Sequence, residues 1–298
     1  MGMGHALSQR FPEFEAIFKE TLREADASIG FSLSQIIETG PAEKLKETEI
    51  TQPALLTVST AMARWLKGKG IRATLAIGHS LGEYSALVFS GALSFQDAVK
   101  LVQLRGRLMQ NAVPLGEGGM AALIGANLET AEKICLEISK SLGAVLEPSV
   151  LNNPGQVVVS GHARAIEEAV KRGKEFGLRM VMPLEVSGPF HCSLLKSAGE
   201  ALKPALFETK WHKPEVNVLS NVTAKPETES AEIVDNLVKQ VYQTVRFESC
   251  LKFAEAQGCK NFVEVGSGKV LTGILKKTLP DAKCVALESL EKLEDLHS

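Results

Sequence analysis

Residues 73–84 read Ala-Thr-Leu-Ala-Ile-Gly-His-Ser-Leu-Gly-Glu-Tyr, and this stretch decides how the rest of the chain is read. The apolar run Ala73–Ile77 predicts a strand, and the residues after Gly82 predict a helix to about Ser90. Gly78-His79-Ser80-Leu81-Gly82 lies between them and fits G-x-S-x-G, so strand, sharp turn and helix make a nucleophile elbow. The glycines allow the tight turn that lifts the Ser80 hydroxyl into a cleft. The helix start turns backbone N–H groups toward developing negative charge, and the Leu81 N–H is the natural oxyanion donor of this segment. The competing reading is a glycine-rich turn with an incidental serine; the strand and helix on either side favour Ser80 as a nucleophile.

Outward from the elbow, the pattern predicts helices from Glu13 to about Ala27, with Pro12 at its start, and from Pro53 to Lys67. A helix over Phe95–Ala112 follows Ser94, a plausible N-cap. The middle of the chain changes rhythm. Strands are predicted at Gly119–Gly125, Ala144–Leu151, Gln156–Ser160 and Arg179–Val186, with helices at Leu128–Ser141 and Ala163–Phe176. That βαββαβ order is the ferredoxin-like arrangement. Residues 117–187 are therefore expected to be a subdomain inserted into a core made of 1–116 and 188–298. The last third alternates again: helix from about Ser193, strand Glu215–Ser220, helices near 231–241 and 247–257, strand Asn261–Val265, helix from Val270, strand Lys283–Ala286. Short apolar strands between helices imply an α/β class with a parallel sheet covered on both faces.

The composition sets outer limits. The 298 residues are 45% hydrophobic and 23% charged, with net charge −2, which gives no electrostatic reason to expect nucleic acid or an anionic membrane as partner. Five scattered cysteines form no C-x-x-C pair, arguing against a disulfide framework or a zinc site and fitting a reducing compartment. No segment reaches the roughly 18 apolar residues of a membrane span, and charges in the first twenty residues leave no signal-peptide core. A cytoplasmic protein without metal or cofactor, acting as a monomer, is the expectation.

An activated serine needs a base. Of six histidines, His5 and His297 lie near the termini, His162 falls in the inserted subdomain, and His212 sits in a polar connection. His79 adjoins Ser80, but its side chain is expected to point away from the site. His191 follows a strand end and Ser187-Gly188-Pro189-Phe190 and opens a helix, the position at which α/β proteins build sites. Arg105 bears on specificity. On the helix Phe95–Ala112 it falls in the middle of the apolar stripe Ala98, Leu101, Val102, Leu108, Met109, Ala112, opposite Lys100, Gln103, Arg107 and Gln110. A buried guanidinium requires an anion. That anion is either an acidic side chain of the protein or the free carboxylate of a bound acyl group.

The residues Gly78-His79-Ser80-Leu81-Gly82-Glu83-Tyr84, Gln52-Pro53-Ala54-Leu55, Arg105-Gly106, Gly188-Pro189-Phe190-His191 and Glu264-Val265-Gly266 resemble, in order and over nearly the whole chain, the malonyl-CoA:acyl carrier protein transacylase family. The resemblance implies an α/β-hydrolase-like core with an inserted ferredoxin-like subdomain. It also implies transfer of a malonyl group from malonyl-CoA to the phosphopantetheine thiol of acyl carrier protein, feeding fatty acid or polyketide synthesis. Carried across, Ser80 is the acylated nucleophile, His191 its base and Arg105 the clamp on the malonyl carboxylate. Gln52 lines the pocket, and Phe190 crowds an α-methyl group. The base is oriented by a main-chain carbonyl, for which the matching region is Gln243-Thr244-Val245-Arg246. Family members begin with an apolar strand ending in Gly-Gln-Gly-Ser-Gln that supplies a second oxyanion N–H. Met1–Gly4 aligns just after it, so that strand is missing from this sequence and an in-frame upstream segment is expected.

Two rivals stay open at this level. A serine hydrolase or thioesterase would use the same elbow with an acid between Ser80 and His191, for which Asp97, Glu117, Glu129, Glu147 and Glu185 are available. An inactive, truncated relative that only binds the carrier protein is the other.

Overall fold

The computed structural model describes residues 2–296; Met1, His297 and Ser298 lie outside the described residues. The chain opens with a helical layer: α1 (His5–Arg10), α2 (Pro12–Ile29), α3 (Leu33–Thr39), α4 (Ala42–Lys46) and the long α5 (Thr48–Gly68). The sequence places the start of α5 at Pro53, the favoured first-turn position. The helix instead begins at Thr48 and carries Pro53 inside it. Proline removes one intrahelical bond, and burial of Ile50, Gln52, Ala54, Leu56 and Val58 on this helix outweighs it. The short α1, α3 and α4 have too few residues to show a period, which is why the pattern misses them.

The elbow follows as β1 (Leu75–Ile77) and α6 (Leu81–Phe89), then α7 (Phe95–Asn111), whose start is fixed by Ser94 Oγ accepting from the Asp97 N–H. The inserted elements are β2 (Gly118–Ile124), α8 (Leu128–Leu142), β3 (Leu146–Asn153), β4 (Gln156–His162), α9 (Ala163–Arg172) and β5 (Met180–Pro183). Their sheet order β3-β4-β2-β5, antiparallel throughout, is that of a ferredoxin-like unit. One face of this sheet closes over α8 and α9 to form a hydrophobic cluster drawn only from residues 121–181. Its other face packs Met120, Ala122, Val150 and Val158 against Val245, Phe247, Leu251 and Ile274.

The chain then returns through α10 (Lys196–Glu208), β6 (Asn217–Leu219), β7 (Pro226–Glu227), α11 (Ser230–Gln240), α12 (Phe247–Ala256), β8 (Asn261–Glu264), α13 (Val270–Thr278) and β9 (Lys283–Ala286). Strand β1 pairs in parallel with β6, and β8 with β9, as the alternating pattern predicts. The two parallel pairs are not joined in one sheet: β1-β6-β7 and β8-β9 are separate, because no strand among the described residues bonds between β1 and β8. Strand β1 is accordingly half-buried rather than fully covered. The largest core cluster lies between the helical layer, α7, α10 and α11, and it holds the helix that carries Arg105. No described helix is long and apolar enough to cross a membrane.

Candidate active site

Ser80 sits at the cap of α6 with φ 51° and ψ −106°, a conformation outside the regions open to most L-residues. The turn closes so tightly that a Cβ on Gly78 would lie 1.8 Å from the Gly82 carbonyl carbon. Gly78 is therefore demanded by the turn, whereas a Cβ on Gly82 would meet nothing within 4 Å. Asn221, in the turn two residues past β6, braces the strained loop, accepting from the Ser80 N–H at 2.7 Å and donating to the Gly78 carbonyl at 2.7 Å. Leu81 is the first residue of α6, so its N–H has no intrahelical acceptor and stays available beside the hydroxyl.

His191 is the histidine that reaches Ser80. Its Nε2 lies 2.8 Å from Ser80 Oγ, and its Nδ1 lies 2.7 Å from the Gln240 carbonyl oxygen. A carbonyl can only accept, so Nδ1 carries the hydrogen and Nε2 is left to take the serine proton. The orienting carbonyl is Gln240, three residues before the segment 243–246 expected from the resemblance. The reason is in the helix: Gln240 is the last residue of α11, and the final carbonyls of a helix lack intrahelical partners. Burial and the nearby Arg105 charge push His191 down from 6.5 to about 3, so the ring is a neutral base. It too has positive φ, 61°.

None of the five acids considered for a triad is on His191. Glu147 accepts instead from the Ser193 N–H at 2.7 Å and the Ser193 hydroxyl at 2.6 Å. His79 turns away, as the sequence suggested, onto Asn152 Oδ1 at 2.9 Å and the Phe247 ring, while His162 accepts from the Val145 N–H. Beside His191 opens a cleft of about 330 Å³ lined by Glu147, Pro148, Val222, Tyr242, Gln243, Thr244 and Arg246.

Arg105 is 1% exposed. One terminal nitrogen donates to Gln52 Oε1 at 2.7 Å; the other donates to Ser80 Oγ at 3.0 Å and to Gln240 Oε1 at 2.9 Å. Its Nε has no partner, the Tyr84 ring lies 5.6 Å from the guanidinium carbon, and no carboxylate among the described residues forms an ion pair with it. Burial accordingly lowers its proton affinity. The buried arginine–carboxylate pair that could have explained this residue from sequence alone is not formed. Phe190, half-buried, packs between the two core clusters next to His191. Ser80, His191, Arg105 and Gln52 thus join in one hydrogen-bonded cluster, with the Leu81 N–H at the adjoining helix start, while the Phe190 ring lies over Gly188. Sequence reasoning missed Gln240, Asn221 and Glu83. Among the described residues no group of three or more His, Cys, Asp or Glu side chains could hold a metal.

Known proteins resemble this chain over nearly its whole length. The malonyl CoA-acyl carrier protein transacylase of Salmonella typhimurium is 43% identical over 288 residues, covering 96% of this chain and 91% of its own. The crystal structure of an acyl carrier protein S-malonyltransferase from Vibrio cholerae superposes with TM-score 0.94 at 40% identity, covering 99% of this chain and 95% of that one. A malonyl-transacylase in complex with its type II PKS acyl-carrier protein superposes with TM-score 0.92 at 38% identity, covering all of this chain and 94% of that one. The acyl transferase domain family matches residues 1–293, and the chain belongs to it.

Proposed function

We propose that this acyltransferase moves a malonyl group from malonyl-CoA to the phosphopantetheine thiol of an acyl carrier protein through a malonyl-Ser80 ester. The observation that carries the proposal is the buried guanidinium of Arg105, unpaired by any carboxylate among the described residues and 3.0 Å from the Ser80 oxygen. An ester on that oxygen with a carboxylate one methylene away brings the missing anion to the fork, where two parallel charge-assisted bonds can form. A neutral acyl group leaves the charge unmatched.

In the forward half-reaction His191 Nε2 takes the Ser80 proton as Oγ attacks the thioester carbonyl. The Leu81 N–H stabilises the tetrahedral oxyanion, and the C–S bond breaks as His191 returns the proton to the departing coenzyme A thiol. In the second half-reaction His191 takes the proton of the carrier thiol, sulfur attacks the ester, and Ser80 is reprotonated as the C–O bond breaks. Gln52 holds one edge of the guanidinium, and Phe190 is assigned the exclusion of an α-methyl group. Residues 1–116 with 188–298 serve as the catalytic core and 117–187 as the inserted subdomain, acting as a cytoplasmic monomer.

Incubation with malonyl-CoA followed by intact-mass measurement is the test. A malonyl adduct on the wild type that is absent from Ser80→Ala supports the transferase. Rapid malonate release without transfer to holo carrier protein would instead establish a hydrolase, and no adduct or release a binding protein.

A further inference from the structure

Ser80 and Glu83 stand three residues apart at the start of α6, the spacing of a capping box, in which each side chain bonds the other residue's backbone N–H. Neither bond is made. The Ser80 hydroxyl faces His191 and Arg105, and the Ser80 N–H goes to Asn221 Oδ1. Glu83, fully buried, turns its Oε2 to the Asn221 N–H at 2.9 Å and to Gln240 Nε2 at 2.7 Å. The same Nε2 donates to the Ser80 carbonyl at 3.0 Å, while Gln240 Oε1 accepts from Arg105. A carboxamide has one donor end and one acceptor end. With the donor end held by Glu83 and the Ser80 carbonyl, the acceptor end must face the guanidinium. Nε2 also lies 3.4 Å from Asn221 Oδ1, so a half-turn of Gln240 would set N–H against N–H at Arg105 and oxygen against three acceptors.

We propose that Glu83 is a positioning residue for acyl-group selection, fixing the Gln240 carboxamide and through it the aim of the Arg105 guanidinium at the acyl group on Ser80; this rests on the malonyl reading above. Glu83 Oε2 accepts both bonds whether or not the carboxyl is protonated on Oε1, so the arrangement depends on geometry rather than on charge. Burial raises the acid to about 7, against the lowering pull of the Asn221 N–H, the Gln240 amide and Arg105. A side chain serving only to fill space here would have no need of two buried acceptor contacts.

The test is a double-mutant cycle of Glu83→Met and Gln240→Met on the full chain, with Glu83→Gln alongside. Gln240→Met keeps the backbone carbonyl that holds His191. The readout is the ratio of kcat/KM for malonyl-CoA to that for acetyl-CoA, with wild-type malonyl-serine formation measured in parallel. Glu83→Met and Gln240→Met should each lower the ratio about tenfold or more. The double variant should fall no further than Gln240→Met alone, since interacting sites are non-additive. Glu83→Gln, whose amide oxygen can still accept, should restore most of the ratio. An unchanged ratio in Glu83→Met, or losses that multiply in the double variant, overturns the proposal. Where Glu83→Met does not fold, Gln240→Met decides alone, and an unchanged ratio overturns it. Absence of the wild-type adduct refutes the malonyl reading itself; an adduct with an unmoved ratio refutes only the role of Glu83.

Discussion

Replacing Arg105 by methionine tests the link between burial and specificity directly. The variant retains an unbranched side chain on α7 but removes the guanidinium donors and the charge. A hydrogen bond to a charged group contributes about 1.5–3 kcal/mol, so losing a bidentate grip on the malonyl carboxylate costs roughly 3–6 kcal/mol. At about 1.4 kcal/mol per decade, the middle of that range is on the order of a thousandfold in kcat/KM for malonyl-CoA. Acetyl-CoA has no carboxylate and loses only the contact from Arg105 to Ser80 Oγ. The malonyl-to-acetyl ratio should therefore fall by two to three decades, roughly. Stability is pulled both ways. Gln52 Oε1 and Gln240 Oε1 lose a donor at about 1–3 kcal/mol each, while the cost of burying an unpaired guanidinium disappears. The variant is thus expected to fold, which thermal unfolding checks. Steady-state transfer to holo carrier protein, with both acyl donors, gives the ratio. A folded Arg105→Met protein that keeps its malonyl preference within threefold, roughly, would refute the assignment of Arg105 to the acyl carboxylate.

The two elbow glycines should separate sharply. Gly78→Ala forces a Cβ to within 1.8 Å of the Gly82 backbone and should cost more than about 4 kcal/mol in denaturant unfolding, whereas Gly82→Ala, in open space, should change stability by less than about 1 kcal/mol; similar losses would refute the steric account. Stability against pH should show a plateau. His191, depressed from 6.5 to about 3, makes the unfolded chain bind the extra proton, so its contribution falls as pH drops below 6.5, and His79 shifts the same way. Glu83, raised from 4.5 to about 7, makes the folded chain bind the extra proton, so its contribution is lost as pH rises from 4.5 through 7, and Glu227 shifts the same way. Between 4.5 and 6.5 the two slopes oppose, and Tm should decline on both sides of that window; a Tm still rising steeply from 6.5 to 8 would contradict it. Phe190→Ser should raise methylmalonyl transfer relative to malonyl about tenfold, the scale of one methyl group, in competition assays with both thioesters.

What the sequence reveals follows from periodicity. Ser80 is legible because a strand, a turn and a helix each announce themselves within a dozen residues. Arg105 is legible because a charge in the middle of an apolar helical stripe is an anomaly that a 3.6-residue period exposes. The inserted unit shows itself in its βαββαβ order, and its strand bounds fall within a few residues of the structure. Gln240 is hidden: its contribution to His191 is a backbone carbonyl, which any residue has, and a glutamine at the end of a helix looks like ordinary surface. Glu83 misleads, since three residues after a serine it looks like a helix cap. Asn221 lies in a loop, where asparagine is common for turn reasons alone. The division of the parallel strands into two sheets is likewise invisible, because apolar alternation reports that a strand exists and not which neighbour it pairs with.

The absence of an acid behind His191 among the described residues follows from the same charge that is proposed to select the substrate. In a hydrolase acting on neutral esters, a carboxylate on Nδ1 fixes the tautomer and stabilises the imidazolium. Here the pocket already holds one buried cation and is proposed to receive one anion from the substrate. A second fixed carboxylate in contact with His191 would compete for Arg105 and repel the incoming acyl group. At roughly 7 Å and an effective dielectric constant of about 20, that repulsion is about 2 kcal/mol, more than a tenfold loss in binding. The Gln240 carbonyl, at 2.7 Å from Nδ1 and at the negative end of α11, performs the orienting role without a formal charge. A carbonyl stabilises imidazolium less than a carboxylate does, which suits a thioester whose thiol leaves readily and needs less push from the base. The unpaired arginine and the acid-free histidine are therefore one solution: specificity for a charged acyl group requires that the catalytic pair carry no negative charge of its own.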